Sequence, residues 1–183
     1  MDGDATLSPL AEFKTRLANV TPCRILYTGA KVWPGSVNLD HSLHAPHAEW
    51  IGTDIEAGAG VHIVSDLSRI DQVTDLRFNA VFSRATLEHI ERPWCSMIAM
   101  ANVLKAGGVL FVHTHQTFPI HGYPSDYFRF STQALRTMCF DAGLEVIAAG
   151  YDNPCVITPP KSVTVWNLAA EAYLNVTICA VKK

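Results

Sequence analysis

Apolar runs too continuous for half-exposed strands, and too short to read as independent helices, recur along this 183-residue chain. They are CRILYTG (23–29), AEWIGTDIE (48–56), GVHIVSDLS (60–68), NAVFSRA (79–85), GVLFVHTHQ (108–116), LEVIAAG (144–150) and NVTICAVKK (175–183). Each reads as a strand, bounded by glycine or polar residues. The segments between several of them carry helical spacing instead. Ser8 and Pro9 supply an N-cap and first helical position for Leu10, Phe13, Leu17 and Val20, predicting a helix over 9–19. Pro93 opens a second helix with Trp94, Met97, Ile98, Ala101 and Leu104 on one face; Lys105 suits its negative end and Gly107-Gly108 stops it. Ser131 caps a third, with Leu135, Met138, Cys139 and Ala142 inward and Gly143 just past the end. Strands of this kind separated by helices imply an α/β fold with a mostly parallel sheet covered on both faces. Ligands bind such sheets beyond the carboxyl ends of the strands. Gly29, Asp54, Asp66 and the stretch Ser83–His89 all fall at those ends.

Composition narrows the function. Hydrophobic residues make up 49% and charged residues 17%, the balance of a globular chain. A net charge of -3 offers neither nucleic acid nor an anionic membrane an electrostatic partner. No apolar run reaches the roughly 18 residues that a membrane span needs. The acidic start, MDGDATLSPL, has no signal-peptide pattern. Five scattered cysteines with no C-x-x-C pair read as reduced core thiols. A cytoplasmic protein with a single domain over 1–183 is expected.

Two stretches carry a family resemblance. The run AVFSRATLEHIERPWCSMIAMANVLKAGGVLFV, with Glu88-His89, Pro93-Trp94, Leu104-Lys105 and Gly107-Gly108, resembles the fourth- and fifth-strand region of class I S-adenosylmethionine-dependent methyltransferases. The pattern His-Gly-x-Pro-x-Asp-Tyr-x-Arg-x-Ser from His121 to Ser131 resembles one bacterial branch acting on small molecules, and WIGTDIEAGAG (50–60) resembles the second-strand motif there. The resemblance implies a Rossmann-like three-layer sandwich with a seven-stranded sheet, the last strand antiparallel, and S-adenosylmethionine as methyl donor. It implies that Gly29 lets the backbone approach the methionine part, and that Asp54 with Ile55 takes the ribose, a carboxylate being an acceptor only. Asp66 and Leu67 would border the adenine, and Ser83, Arg84 and Ala85 would line the methionine end. Tyr123, Asp126, Tyr127 and Arg129 would meet the acceptor, a small molecule such as a sugar or a natural-product intermediate. His121 is the first candidate for the base that a hydroxyl acceptor needs, and His89 the second. The segment 121–129 reads equally as a structural loop with Arg129 paired to Asp126, and Glu88-His89 as a loop-orienting pair.

The chain departs from the family at its first motif. Tyr27 stands where an acid is usual, and Lys31 and Trp33 stand roughly where further glycines are usual. Residues 31–49 lack a helical apolar stripe and contain Pro34, Gly35 and Pro46, so an irregular segment is expected there. These departures motivate an alternative, a non-catalytic methyltransferase-like module that binds a partner protein. A nicotinamide dehydrogenase is disfavoured because no G-x-G-x-x-G follows the first strand. A partner subunit or a second copy of the chain is expected to complete so small a site. No metal is expected: His41, His44 and His47 meet no carboxylate or cysteine of a recognised ligand pattern, and His113 and His115 are assigned to opposite faces of the fifth strand.

Overall fold

The structure is a computed structural model, and it describes residues 7–33, 41–122, 124–158 and 172–183. The helix α1 (Pro9–Leu17) begins as the sequence predicts, with the Ser8 hydroxyl accepting from the Ala11 amide, but stops two residues before the expected end. Seven strands follow: β1 (Arg24–Thr28), β2 (Glu49–Asp54), β3 (Ile63–Val64), β4 (Phe78–Arg84), β5 (Leu104–His115), β6 (Leu144–Cys155) and β7 (Ala172–Lys182). They form one sheet in the order β3-β2-β1-β4-β5-β7-β6. Strands β1 to β5 are parallel, and β7 runs antiparallel to both β5 and β6. The other α-helices are α2 (Ile70–Val73), α3 (Pro93–Val103) and α4 (Thr132–Asp141).

Strand parity sorts the core into two layers. Leu26, Val81, Leu110, Val112, Val176 and Ile178 turn one way and meet Ile70, Met97, Met100, Leu135 and Cys139 from α2, α3 and α4. Ile25, Ala80, Phe82, Val109, Phe111 and Cys179 turn the other way and meet Phe13 and Leu17 of α1. The Phe13 ring lies 5.5 Å from Phe82 and 5.7 Å from Phe111. This is the three-layer sandwich expected from the sequence. Among the described residues no helix is long and apolar enough to cross a membrane.

Several local expectations are corrected. The third strand shrinks to Ile63–Val64; Asp66 lies beyond it and caps a 3-10 turn, Leu67–Arg69, accepting from the Ser68 amide at 2.9 Å. A short polar side chain that bonds its own local backbone ends a strand early. The helix α3 ends at Val103, not at the glycine pair. Lys105 reaches Asn79 Oδ1 rather than the helix end, and Lys182 Nζ from β7 donates to the Ala101 and Leu104 carbonyls at 2.8 and 2.9 Å. The buried face of α3 carries Met97, Met100, Ala101 and Val103, while Trp94 and Ile98 are exposed. Met97 to Ala101 are apolar in succession, so the sequence pattern singled out no face. Of residues 31–49, residues 31–33 are irregular and 41–44 form one 3-10 turn; residues 34–40 lie outside the described part.

Burial of the thiols makes a direct prediction. Burial pushes the Cys139 and Cys179 thiols up to about 12, and raises Cys23 as well. Thiolates are the reactive species. Native protein titrated with a thiol reagent at pH 8 is therefore expected to react rapidly only at the half-buried Cys95 and Cys155, and all five are expected to react after unfolding. Fast modification of Cys139 or Cys179, read by peptide mass, would contradict the packing of α4 against β7.

Candidate functional site

The carboxyl ends of β1, β2 and β4 open onto one cavity of about 740 Å³. Its formation starts at Gly29. With φ +65, Gly29 turns the chain sharply as β1 ends, and a Cβ there would lie 2.6 Å from Thr86 Oγ1. The Thr86 hydroxyl in turn donates to the carbonyls of Thr28 and Arg84, and Thr28 Oγ1 donates to Ser83 Oγ at 2.8 Å. A chain of hydroxyls thus ties the ends of β1 and β4 together beneath the cavity floor. Beyond Gly29 the chain does not enter a described helix. It is stitched to β2 and the loop after it: the Ala30 amide donates to Thr53 O, the Lys31 amide to Asp54 Oδ2 and the Val32 amide to Ala59 O. The stitching requires two backbones to touch. A Cβ on Gly52 would lie 2.0 Å from the Gly60 carbonyl oxygen.

Asp54 therefore has two tasks. Its Oδ2 accepts from the Lys31 amide at 3.0 Å and its Oδ1 from the Glu56 amide at 3.2 Å. Each carboxylate oxygen retains a further lone pair. Asp66 binds Ser68 through Oδ1 at its amide and hydroxyl. Both acids line the cavity, with Gly29, Ile55, Leu67 and Ala85. Ala85 holds φ +47, a left-handed conformation rare for a residue with a Cβ. Thr53 Oγ1, also in the cavity wall, is buried with no hydrogen-bond partner among the described residues. Lys31, in the wall beside it, pairs with Glu56, and its Nζ lies 3.9 Å above the Trp33 ring.

The remaining predicted residues divide. His89, His121 and Tyr127 line the same cavity as Asp54 and Asp66. Ser83 and Arg84 do not: Ser83 is 1% exposed and bonded to Thr28, and Arg84 lies beside Tyr27 and His113. Tyr27 turns into the α1 layer against Phe82, so its departure from the family pattern falls on the far side of the sheet. Asp126 and Arg129 do not line the cavity either. Arg129 grips both Asp126 oxygens at 2.5 and 2.7 Å and donates to the Phe118, Pro119 and Phe128 carbonyls, while Asp126 also accepts from the His121 amide at 2.8 Å. The Arg129 bonds, with the His121 amide bond, hold the Asp126 carboxyl well below its ordinary range. This is a loop clamp, the structural alternative for that pair. Tyr123 lies outside the described residues.

The loop-orienting reading of Glu88-His89 is the one the geometry favours for Glu88, and sequence reasoning missed His115 beside it. Glu88 is fully buried. Burial works to raise its carboxyl, but the close approach of His115 and the bond from Thr114 outweigh burial and leave it below the ordinary value. Thr114 Oγ1 donates to Glu88 Oε2 at 2.7 Å, and the Glu88 carbonyl accepts from the Tyr127 amide at 2.8 Å. His113 and His115, two residues apart on β5, belong to one face of the strand and not to opposite faces as the sequence reading had it. A strand parity correctly counted would have brought His115 into view.

Comparison with known proteins agrees with this architecture. Residues 28–112 match the family model of the methyltransferase domain. A 1,6-didemethyltoxoflavin-N1-methyltransferase of Burkholderia thailandensis, solved with 1,6-didemethyltoxoflavin and S-adenosylhomocysteine, superimposes with a TM-score of 0.65 at 13% identity, over 100% of this chain and 80% of that one. A SAM-dependent methyltransferase of Archaeoglobus fulgidus gives 0.61 at 15% identity, over 94% of both chains. No curated protein matches the sequence. The fold is that of S-adenosylmethionine-dependent methyltransferases, and residues 28–112 match their methyltransferase domain.

Two predictions follow from the geometry. Gly52→Ala is expected to cost about 1–3 kcal/mol of stability, the range for overpacking against an unyielding neighbour, measured by denaturant unfolding; an unchanged midpoint would mean that the β2 loop can move off β1. Arg129→Ala is expected to speed amide exchange across residues 118–130 while α1 and β1 keep their protection. Equal protection in the variant would show that the clamp does not hold the loop.

Proposed function

We propose that this protein transfers the methyl group of S-adenosylmethionine to a small-molecule acceptor, with a sugar or a natural-product intermediate as the class. The observation that carries the proposal is the shared cavity: the acids at the ends of β2 and β3 line the same space as His89, His121 and Tyr127. The donor's parts find matching groups in that space. Asp54 offers its remaining lone pairs to ribose hydroxyls, and Ile55 and Leu67 offer apolar surface to a purine beside Asp66. Gly29 and Ala85 leave backbone close to the floor, and the unpartnered Thr53 hydroxyl is available to a polar group. Bound there, the donor supplies a methyl group already activated on a sulfonium, so orientation contributes much of the rate.

The chain's own part is to hold the acceptor and take its proton. Tyr127 is half-exposed in the cavity wall and presents a flat face with a hydroxyl handle. His121 Nδ1 stands 3.1 Å from the Pro119 carbonyl and His89 Nδ1 stands 2.7 Å from the Ser125 carbonyl. A nitrogen facing a carbonyl carries the proton, which leaves the Nε2 lone pair of each ring free to act as a base. Ser83, Arg84, Asp126 and Arg129 are supports in this reading and not binding groups.

Calorimetric titration with S-adenosylmethionine and S-adenosylhomocysteine is the primary test. Asp54→Ala is expected to weaken donor binding by about 1–3 kcal/mol, the cost of removing a hydrogen-bonding partner at a buried site. His121→Ala is expected to lower turnover of a hydroxyl acceptor by about 100-fold with donor affinity nearly kept. No binding of either compound at millimolar concentration by folded protein would overturn the proposal in favour of the partner-binding module.

A further inference from the structure

We propose that Glu88, His115 and His121 form a binding site for a divalent transition-metal ion of the zinc type, behind the His89–His121 wall of the cavity. One candidate ligand atom from each of the three lies within 4.8 Å of the other two. They come from three separate places: the 3-10 turn after β4, the end of β5, and the loop after it.

Hydrogen bonding leaves each of the three with one atom to offer. Glu88 Oε2 accepts from Thr114, whereas Oε1 is buried without a hydrogen-bond partner among the described residues. His115 Nδ1 stands 3.0 Å from Asn175 Oδ1, and His121 Nδ1 stands 3.1 Å from the Pro119 carbonyl and 3.5 Å from Asp126 Oδ2. With the Pro119 carbonyl and Asn175 Oδ1 as the acceptors, both rings carry their proton on Nδ1 and keep the Nε2 lone pair. Metal-binding histidines are held in this way, with the second nitrogen bonded to a carbonyl or a carboxylate.

The contact between His115 Nε2 and Glu88 Oε1 points the same way. The two atoms are 3.1 Å apart, yet they do not make an aligned hydrogen bond. A bare lone pair against a buried carboxylate oxygen is repulsive, so a positive charge belongs between them. Two ligands of one tetrahedral ion, each about 2.0–2.2 Å from it, stand about 3.3 Å apart and aim at the ion rather than at each other. The separations to His121 are wider, up to 4.8 Å, and its ring stands edge-on to His115. Two imidazoles and one carboxylate suit zinc and its neighbours in the first transition row, and not magnesium or calcium, which take oxygen ligands. Such a set leaves a coordination position open, and His121 opens it towards the cavity. The rival occupant of the gap is a proton, making His115 an imidazolium paired with Glu88.

In the methyl-transfer reading, an ion here takes the acceptor's oxygen as a further ligand and lowers the pKa of its hydroxyl. His121 is then a ligand, and His89 Nε2, 3.9 Å from Glu88 Oε1, receives the proton. That consequence rests on the proposed function; the binding of the ion does not.

The test uses tag-free full-length protein, stripped with a chelator and titrated with Co²⁺ and then Zn²⁺ in the absence of donor and acceptor. One equivalent of Co²⁺ is expected to bind with d–d absorption in the visible, and Zn²⁺ to displace it. His115→Ala and Glu88→Gln are each expected to weaken binding by 100-fold or more. His121→Ala, on the loop and away from the core, is expected to keep the native circular dichroism and to lose binding comparably. Asn175→Ala is expected to weaken binding about 10–100-fold through the orientation of His115. Folded parent protein that takes up no Co²⁺ at millimolar concentration would overturn the site and leave the imidazolium–carboxylate pair. Binding that His121→Ala and His115→Ala both retain would place the ion elsewhere and overturn it equally. Donor titration of the same samples separates these results from failure of the methyl-transfer reading.

Discussion

A carboxylate with no solvent exposure organises one half of this site. Glu88 is taken out of water entirely, a transfer that costs several kcal/mol for an ion unless it is paired and bonded. Its surroundings offset that cost on several sides. Thr114 bonds one oxygen, His115 approaches the other, and the Glu88 backbone carbonyl receives the Tyr127 and Phe128 amides. Those contacts draw together the segment after β4, the end of β5 and the start of the Tyr127 stretch. The cavity wall carrying His89, His121 and Tyr127 is therefore assembled around one buried charge. The Asp126–Arg129 clamp then shapes the loop from within, fixing His121 by its backbone amide while its ring Nδ1 meets the Pro119 carbonyl.

The other half of the site solves a different problem. A nucleotide-type pocket needs backbone that lies close to the ligand as the chain leaves β1, which is ordinarily the work of a glycine-rich turn leading into a helix. Here the turn keeps one glycine and is closed by main-chain bonds to its neighbour: Ala30 to Thr53, Lys31 to Asp54, Val32 to Ala59. The close approach that would otherwise fall on the β1 turn falls on the contact between Gly52 and Gly60. Lys31, in a position roughly that of a family glycine, swings its side chain out to Glu56 and Trp33.

How much of this was legible follows from what each kind of signal reports. The layers and strand count were readable because burial on both faces writes itself as continuous apolar runs, and the helix starts were readable because Ser8, Pro9, Pro93 and Ser131 act locally. Helix ends were harder. Lys182 reaches the end of α3 from the last strand, and no local pattern announces a cap supplied 78 residues away. The rim acids were found from their places at strand ends. The division of Ser83–His89 was not, because it depends on which side chains turn down to the hydroxyl chain and which turn up to the cavity. Glu88 was weighed with His89 as a loop-orienting pair, without a partner named for its carboxylate. Its isolation from solvent is a tertiary fact, created by β5 and the loop after it closing over the turn.

Rigidity and freedom are thus distributed unequally around the cavity. The rim at Asp54 and Asp66 is built from backbone bonds between parallel strands, and its acids are already partly engaged by the amides they organise. Those bonds preorganise the lone pairs that remain, at the cost of leaving fewer of them. The opposite wall is held by side chains: a buried carboxylate, a clamp and a cluster of imidazoles with rings 4.8 to 5.2 Å apart. Side-chain networks tolerate changes of outline more readily than a shared backbone contact does, because a substitution at Tyr127 or His89 alters the wall without unpicking a strand. In the proposed methyl-transfer reading, selectivity for the acceptor therefore resides in the residue 116–130 loop and the Glu88-His89 turn, and the requirement for the donor resides in the sheet.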